Sequence, residues 1–427
     1  MDANAALLAR RNRVFGLGAP LFYSEPLHLV RGDGVFLYDA AGRRYVDLYN
    51  NVPCVGHANP RVVEAMARAQ GTLNVHSRYL HEGIIEFAER YVRLQHPGIE
   101  SVVFSCTGTE ANEVALQMAR MATGRQGILC CAAAYHGNST LVGQLTNVDP
   151  DRPAHPELRS FPVPDTWRLP PAAAGRDAGE YYLSRADAAI DALERSGAGL
   201  AAMLVCPIFA NEGTPDAPAG FLRALVERVR RAGGLVIADE VQAGYARTGR
   251  WWGYEVAGIT PDIVVTGKPM GNGLPLAATA SSTSLMNLFR SRTQYFNTYA
   301  SSPLQAAVGM AVLDEIESRG LLASVSAVGA LLKSALQERV GRWPSLGEVR
   351  GTGLFINIEM VKDARSREPD GALAQRVADR LAAEGYLTAT NGPHLNQVKL
   401  RPPLVLAEAE ARGFLAAFDR VMDSLGA

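Results

Sequence analysis

Short apolar runs of strand length recur along the chain, each closed by small or polar residues: 102–104, 128–131, 201–207, 235–238 and 263–266. Runs of this kind, bounded by Gly and Pro, predict buried strands of a parallel sheet. Between them the spacing becomes helical. Ala111, Val114, Ala115 and Met118 recur at i, i+3, i+4 and i+7, and Phe221, Leu225 and Val229 at four-residue steps. A long amphipathic stretch runs from Leu304 to Ser318. Toward the N-terminus, Val30 to Asp47 alternates polar and apolar residues around glycines, which predicts a small antiparallel unit. The segment 340–427 reads as α+β, with 349–358 as one strand flanked by helices. The Pro- and Gly-rich residues 165–179 read as one long surface loop.

At 427 residues the chain can bury a large core and divide into about two domains. Its 42 basic and 43 acidic residues leave a net charge of −1, and no basic block occurs. Nucleic acid and anionic membrane are therefore poor partners. The five cysteines are scattered, without a CxxC pair or histidines at ligand spacing, which suits a reducing cytosol and argues against structural zinc. The first residues hold no apolar stretch of signal-peptide length, and nothing later approaches a membrane span; the expectation is a cytoplasmic protein.

Two strand ends carry candidate chemistry. The run 235–238 stops on Asp239 and Glu240, and 263–266 stops on Gly267, Lys268 and Pro269. In open α/β sheets ligands bind just beyond such carboxyl ends. A lysine there is partly desolvated, which lowers its pKa and frees a neutral amine as nucleophile. An aspartate beside it can hold a pyridine nitrogen protonated. Taken singly, each residue also reads as a helix cap or a surface lysine. Thr107, Gly108 and Thr109 open the helix after 102–104, where outward N–H groups and the helix dipole make a phosphate seat; an ordinary N-cap is the other reading.

The pattern DEVQ-x-G-x-x-RTG followed by PDI-x-x-x-GK-x-x-G-x-G-x-P, spanning Asp239 to Pro275, resembles the class III (ω-type) aminotransferases. The resemblance extends from about Pro20 to Ala416. It implies an α/β chain of fold type I, with a seven-stranded mostly parallel sheet and a smaller α+β domain. Expected domains are 1–58 and 306–427 in the small domain and 59–305 in the large one. The implied cofactor is pyridoxal 5'-phosphate (PLP). Lys268 takes the place of the Schiff-base lysine, Asp239 that of the pyridinium partner and Gln242 that of the glutamine on the phenolic oxygen. Thr107, Gly108 and Thr109 take the phosphate places. Tyr135 falls where an aromatic stacks on the ring, with His136 as its neighbour.

Asn297-Thr298-Tyr299 lies at the family's T-[FY] motif, so Thr298 is expected to reach the partner's cofactor phosphate in a homodimer or a dimer of dimers. Tyr23 and Arg78 fall in segments that line the substrate pocket. Val398 to Leu404 matches h-R-h-x-P-P-L, but Lys399 replaces the carboxylate-binding arginine, with Arg401 two residues on. Cys206 replaces the glutamate that often pairs with that arginine. His57, in a Gly- and Pro-rich turn, reads as a structural hydrogen-bonding residue.

Within the family the chain is most similar to the branch holding alanine-glyoxylate-aminotransferase-like proteins and amine phospho-lyases. The expected reaction is transfer of an amino group from an amine or amino acid to a 2-oxo acid. The alternative is a lyase that eliminates ammonia, with or without phosphate, from a phosphorylated or phosphonylated amino alcohol.

Overall fold

A computed structural model of the chain describes residues 3–151 and 155–426. Strands Leu29–Asp33 (β1), Phe36–Asp39 (β2) and Arg44–Asp47 (β3) form the N-terminal antiparallel unit. The main sheet is built from Ser101–Ser105 (β4), Gly127–Cys131 (β5), Leu158–Phe161 (β6), Leu200–Val205 (β7), Leu235–Asp239 (β8), Ile263–Thr266 (β9) and Ala277–Ser281 (β10). Its order is β4-β10-β9-β8-β7-β5-β6, and only β10 runs against its neighbours.

The central strands are apolar on both faces because both faces are covered. In β7, Ala202 and Leu204 join a core with the helices Gly108–Thr123 and Thr283–Arg292, while Met203 and Val205 face a second core. That second core takes in the helices Ala178–Arg195 and Phe221–Arg231. The carboxyl ends of β5, β7, β8 and β9 therefore open together at one edge, where ligands of such sheets sit.

Leu346–Thr352 (β11), Phe355–Met360 (β12), Ala389–Asn391 and Gln397–Leu400 form a third sheet, antiparallel throughout. The two-residue strand Tyr386–Leu387 (β13) pairs parallel with β3 and so closes the N-terminal sheet. Naming the remaining pair in chain order, Ala389–Asn391 is β14 and Gln397–Leu400 is β15. Beyond β15, Arg401 N donates to Leu48 O at 2.6 Å and Leu404 N to Cys54 O at 2.7 Å, which ties the third sheet to the N-terminal segment.

Three expectations are corrected. The single strand 349–358 is two strands folded at Gly353, whose φ of +54° puts it in the left-handed region; a Cβ there would stand 2.5 Å from Arg247 O. The stretch 165–179 is not all loop. Pro171–Ala173 is a 3-10 turn that buries Ala173, and the helix Ala178–Arg195 starts inside it, capped where Asp177 Oδ1 accepts from Glu180 N at 2.9 Å. Finally, helix Pro303–Ser318 has no exposed residue from 303 to 316, so it is a core helix rather than an amphipathic one. Among the described residues no single helix is long and apolar enough to cross a membrane.

Candidate active site

The phosphate end is made by the turn from β4 into the helix Gly108–Thr123. Thr107 is the N-cap: its hydroxyl accepts from Glu110 N at 3.1 Å, and the Glu110 carboxylate accepts back from Thr107 N at 3.2 Å and Cys106 N at 2.7 Å. This reciprocal cap fixes the turn and leaves the next N–H groups facing outward. Gly108 is required by crowding, since a Cβ there would lie 2.8 Å from Val241 Cγ2. Thr109 Oγ1 bonds Asn138 Oδ1 at 3.3 Å.

Asp239 is the last residue of β8 and is buried. Its Oδ2 meets His136 Nδ1 at 2.7 Å and accepts from Asn112 Nδ2 at 3.1 Å; Oδ1 accepts from Val241 N at 3.0 Å. An ionised carboxylate has about four acceptor positions, so one remains for a further donor. Burial alone would raise its pKa. The hydrogen bond and charge of His136, then Val241 N–H and the Lys268 charge, outweigh that and hold it below the usual carboxylate range.

Lys268 follows β9 at the same edge. Burial lowers its pKa, the Arg401 charge pushes the same way, and Asp239 opposes them. The result is an amine more readily neutral, hence more nucleophilic, than a surface lysine.

A cavity of about 320 Å³ brings together Thr107, Gly108, Thr109, Tyr135, His136, Asp239, Gln242 and Lys268, within the size range of small-ligand sites. Tyr135 keeps its ring half exposed at the cavity. Gln242 is held at both ends of its amide: Nε2 donates to Asn211 Oδ1 at 3.0 Å and Oε1 accepts from Arg401 Nη1.

The remaining predicted residues lie off this cavity in the single chain. Lys399 and Arg401 are buried beside it, and Arg401 Nε donates to Tyr49 O at 3.2 Å. Burial, then Arg401, then Lys268, push the Lys399 ammonium well down. No carboxylate forms an ion pair with Lys399 or Arg401 among the described residues. Tyr23 donates to Thr388 O at 2.6 Å and lines a separate depression beside Tyr49. Arg78 is exposed, its guanidinium 4.1 Å over the Phe296 ring, and Thr298 is exposed on the turn before helix Pro303–Ser318. His57 Nε2 sits 2.8 Å from Asp47 Oδ2 and ties the N-terminal turn to β3.

The chemistry of these groups fits one cofactor. A threonine- and glycine-lined helix start suits a phosphate monoester, a buried carboxylate with a spare acceptor position suits a protonated ring nitrogen, and a buried lysine between them suits an aldehyde. With the sheet order above, this defines a PLP enzyme of fold type I.

The chain belongs to the class-III aminotransferases, whose family model matches residues 23–422. It is 34% identical over 422 residues to the alanine–glyoxylate aminotransferase 2-like protein of Drosophila melanogaster, covering 96% of this chain and 85% of the relative. It is 32% identical over 436 residues to the ethanolamine-phosphate phospho-lyase homolog 1 of Caenorhabditis elegans, covering 97% and 93%. Among solved structures it is similar to a phospholyase from Arthrobacter in complex with phosphoethanolamine, with 38% identity, a TM-score of 0.93 and coverage of 98% and 99%. It is also similar to an omega transaminase from Pseudomonas jessenii in complex with PMP, with 26% identity, a TM-score of 0.86 and coverage of 97% and 94%.

Sequence reasoning assigned no role to Asn112, Asn211 or Glu212. Asn112 and Asn211 hold Asp239 and Gln242 from elements distant in the chain, so no local pattern marks them. Glu212 is a buried carboxylate, 3% exposed, with the Glu212 and Asn211 N–H groups and the Cys131 thiol as partners.

Proposed function

We propose that the protein is a PLP-dependent lyase for a short phosphorylated or phosphonylated amino alcohol, releasing ammonia and, from an O-phosphorylated one, phosphate. The observation that carries this reading is the buried pair Lys399 and Arg401 beside Lys268, with no carboxylate ion-paired to either among the described residues; burial drives the Lys399 amine toward its neutral form, and a bound anion would supply the counter-charge that restores it. Buried charges need a counter-ion. Lysine is a compact point charge and suits a tetrahedral oxyanion, whereas a planar carboxylate is best held by a bidentate arginine. Arg401 is already turned onto Gln242 and Tyr49 O. Cys206 supplies no charge to switch between two substrates, and a lyase takes only one. The Arthrobacter phospholyase, with its phosphoethanolamine, supports the same choice.

PLP, when bound, supplies an electron sink for the carbon bearing the amino group. Thr107, Gly108 and Thr109 hold its phosphate, Asp239 its ring nitrogen and Tyr135 one ring face. Lys268 would anchor it, and its Nζ, when free, would remove the proton from the substrate carbon. Lys399, with Arg401 beside it, would hold the phosphorus oxyanion. For an O-phosphorylated amino alcohol, loss of that proton and of the C–O bond to phosphate leaves an enamine; with one water it gives an aldehyde and ammonia.

The second reading is transamination to a 2-oxo acid, favoured by the family model and the Drosophila relative. We further infer a homodimer in which Thr298 serves the neighbour's site, a cytoplasmic location, and domains divided at 58/59 and 305/306.

The test is to mix PLP-loaded protein with amines and phosphorylated or phosphonylated amino alcohols, without any keto acid, while following absorbance, ammonia and phosphate. Sustained ammonia release with the cofactor band preserved is expected. A single stoichiometric conversion of the cofactor to its amine form without ammonia would overturn the lyase reading and establish the transaminase.

A further inference from the structure

Arg401 follows β15, but what orients its side chain lies in the N-terminal segment, more than 350 residues earlier. β3 ends on Asp47, which is fully buried. Its Oδ1 accepts from Tyr49 N at 2.9 Å, Asn50 N at 2.9 Å and Asn50 Nδ2 at 3.2 Å, so the chain turns around this one oxygen. The turn presents two carbonyls to Arg401: Leu48 O accepts from its N at 2.6 Å, and Tyr49 O from its Nε at 3.2 Å. The Tyr49 ring centre lies 4.9 Å from the guanidinium carbon. Among the described residues the Arg401 side chain makes hydrogen bonds only to this turn and to Gln242. Each takes one N–H, which leaves the other guanidinium donors for a ligand.

We propose that Asp47 is a positioning residue for substrate binding: by holding the turn 47–50 it aims the Arg401 guanidinium at the substrate's anionic group. This rests on the reading that Arg401 helps to hold that anion, and not on which reaction follows. A buried arginine left to sample its rotamers loses that freedom when an anion binds, and the loss weakens the complex; one already clamped does not. The clamp is itself fixed. Asp47 Oδ2 stands 2.8 Å from His57 Nε2. His57 is tied to Gly34 by reciprocal backbone bonds, His57 N to Gly34 O at 2.7 Å and Gly34 N to His57 O at 2.9 Å. It also packs on Gly32, where a Cβ would stand 2.7 Å from His57 Cβ.

With both oxygens so engaged, Asp47 forms no ion pair with Arg401 and acts on it through the turn. Its charge also reaches Arg401: burial pushes the guanidinium pKa down, and Tyr49 and then Asp47 oppose that. A test of the turn must therefore hold the charge constant. Asp47→Ala and Asp47→Asn both lose it, and they differ in the turn. Asn Oδ1 still accepts from Tyr49 N and Asn50 N, and its NH2 can donate to His57 Nε2. Alanine leaves those N–H groups without their acceptor.

The experiment titrates PLP-loaded protein with inorganic phosphate by calorimetry, the loaded cofactor keeping the probe out of its own phosphate seat. Asp47→Ala should bind phosphate about three- to tenfold more weakly than Asp47→Asn, the cost of ordering one flexible side chain. Equal affinities in the two variants overturn the proposal. Arg401→Gln separates the two ways of failing. If it weakens phosphate binding while the Asp47 variants stay equal, the anion reading stands and only the positioning role of Asp47 falls. If it binds phosphate as tightly as wild type, the anion reading fails and the proposal with it. Should Asp47→Ala not fold, hydrogen exchange of the wild-type holoenzyme decides. Phosphate must slow exchange of the Tyr49 and Asn50 N–H groups, because an anion that profits from the turn stabilises it in return. Exchange that phosphate leaves unchanged overturns the proposal.

Discussion

Replacing Asp239 with Asn removes one charge and almost no volume, so it isolates what that charge does. In the chain alone the change costs one buried hydrogen bond. Asn Oδ1 can still accept from Val241 N, and the new NH2 can donate to His136 Nδ1 but stands donor to donor against Asn112 Nδ2, a cost of about 1–3 kcal/mol that both proteins in the comparison below are checked for by their melting curves. The large effect falls on the cofactor. A carboxylate facing a protonated ring nitrogen in a buried site is a charge pair, and removing one member of such a pair costs about 3–5 kcal/mol. Taking the lower end, cofactor affinity should fall by roughly two orders of magnitude. The covalent anchor would mask this, so the comparison belongs in a Lys268→Ala background. Apo K268A and apo K268A/D239N are titrated with PLP by fluorescence, and again with the 1-deaza analogue that lacks the ring nitrogen. PLP should separate the two proteins about a hundredfold, and the analogue should not separate them. Equal PLP affinities within a factor of three or so would refute the assignment and leave Asp239 as a scaffold for Val241 and Asn112.

Three further outcomes are expected. Glu240 is fully buried and accepts from Gly253 N at 2.8 Å and Tyr254 N at 2.7 Å, yet burial raises its pKa to about 8. Its folded pKa lies above the ordinary glutamate value of 4.5, so the fold loses stability as pH rises from about 4.5 through about 8. Glu240→Gln orphans one of the two N–H groups, which should cost about 1–3 kcal/mol at pH 6; in urea melts that gap should narrow above pH 8. Thr107→Ala breaks the reciprocal cap, lowering stability by about 1 kcal/mol and speeding cofactor loss on dialysis; retention equal to wild type would remove Thr107 from the phosphate site. Thr298→Ala should speed cofactor loss without changing the melting temperature of the apoprotein, and unaltered retention would count against a site shared across a homodimer.

What the sequence disclosed follows a physical line. Thr107 to Thr109, Asp239 to Gln242 and Lys268 were legible because each stands where a buried strand ends, and strand ends are marked locally by apolar runs meeting Gly, Pro or charge. The break at Gly353 was not legible: apolar Val349 lies on one side and Leu354, Phe355 and Ile356 on the other, and the short Gly-Thr-Gly between them reads as the tight entry to a single strand. The grip of Arg401 on Gln242 joins residues 159 positions apart, and no periodicity records such a meeting. Glu212 reads locally as a turn glutamate; only the strands that close over its loop make it a buried one. Arg78, Thr298 and Tyr23 stand away from the cavity of one chain, so motif position alone placed them at the site.

The parallel pairing of β3 with β13 bears on how the chain is made. The N-terminal sheet is completed by residues near the other end, and Arg43 donates to Ala383 O, 340 residues further on. At about 5–20 residues per second, translation leaves that edge waiting for roughly half a minute. The strands carrying Asp239 and Lys268 emerge within that interval, whereas Lys399 and Arg401 emerge last. On the ribosome, then, the cofactor half of the pocket precedes its anion half, and an open sheet edge meanwhile calls for a chaperone's cover.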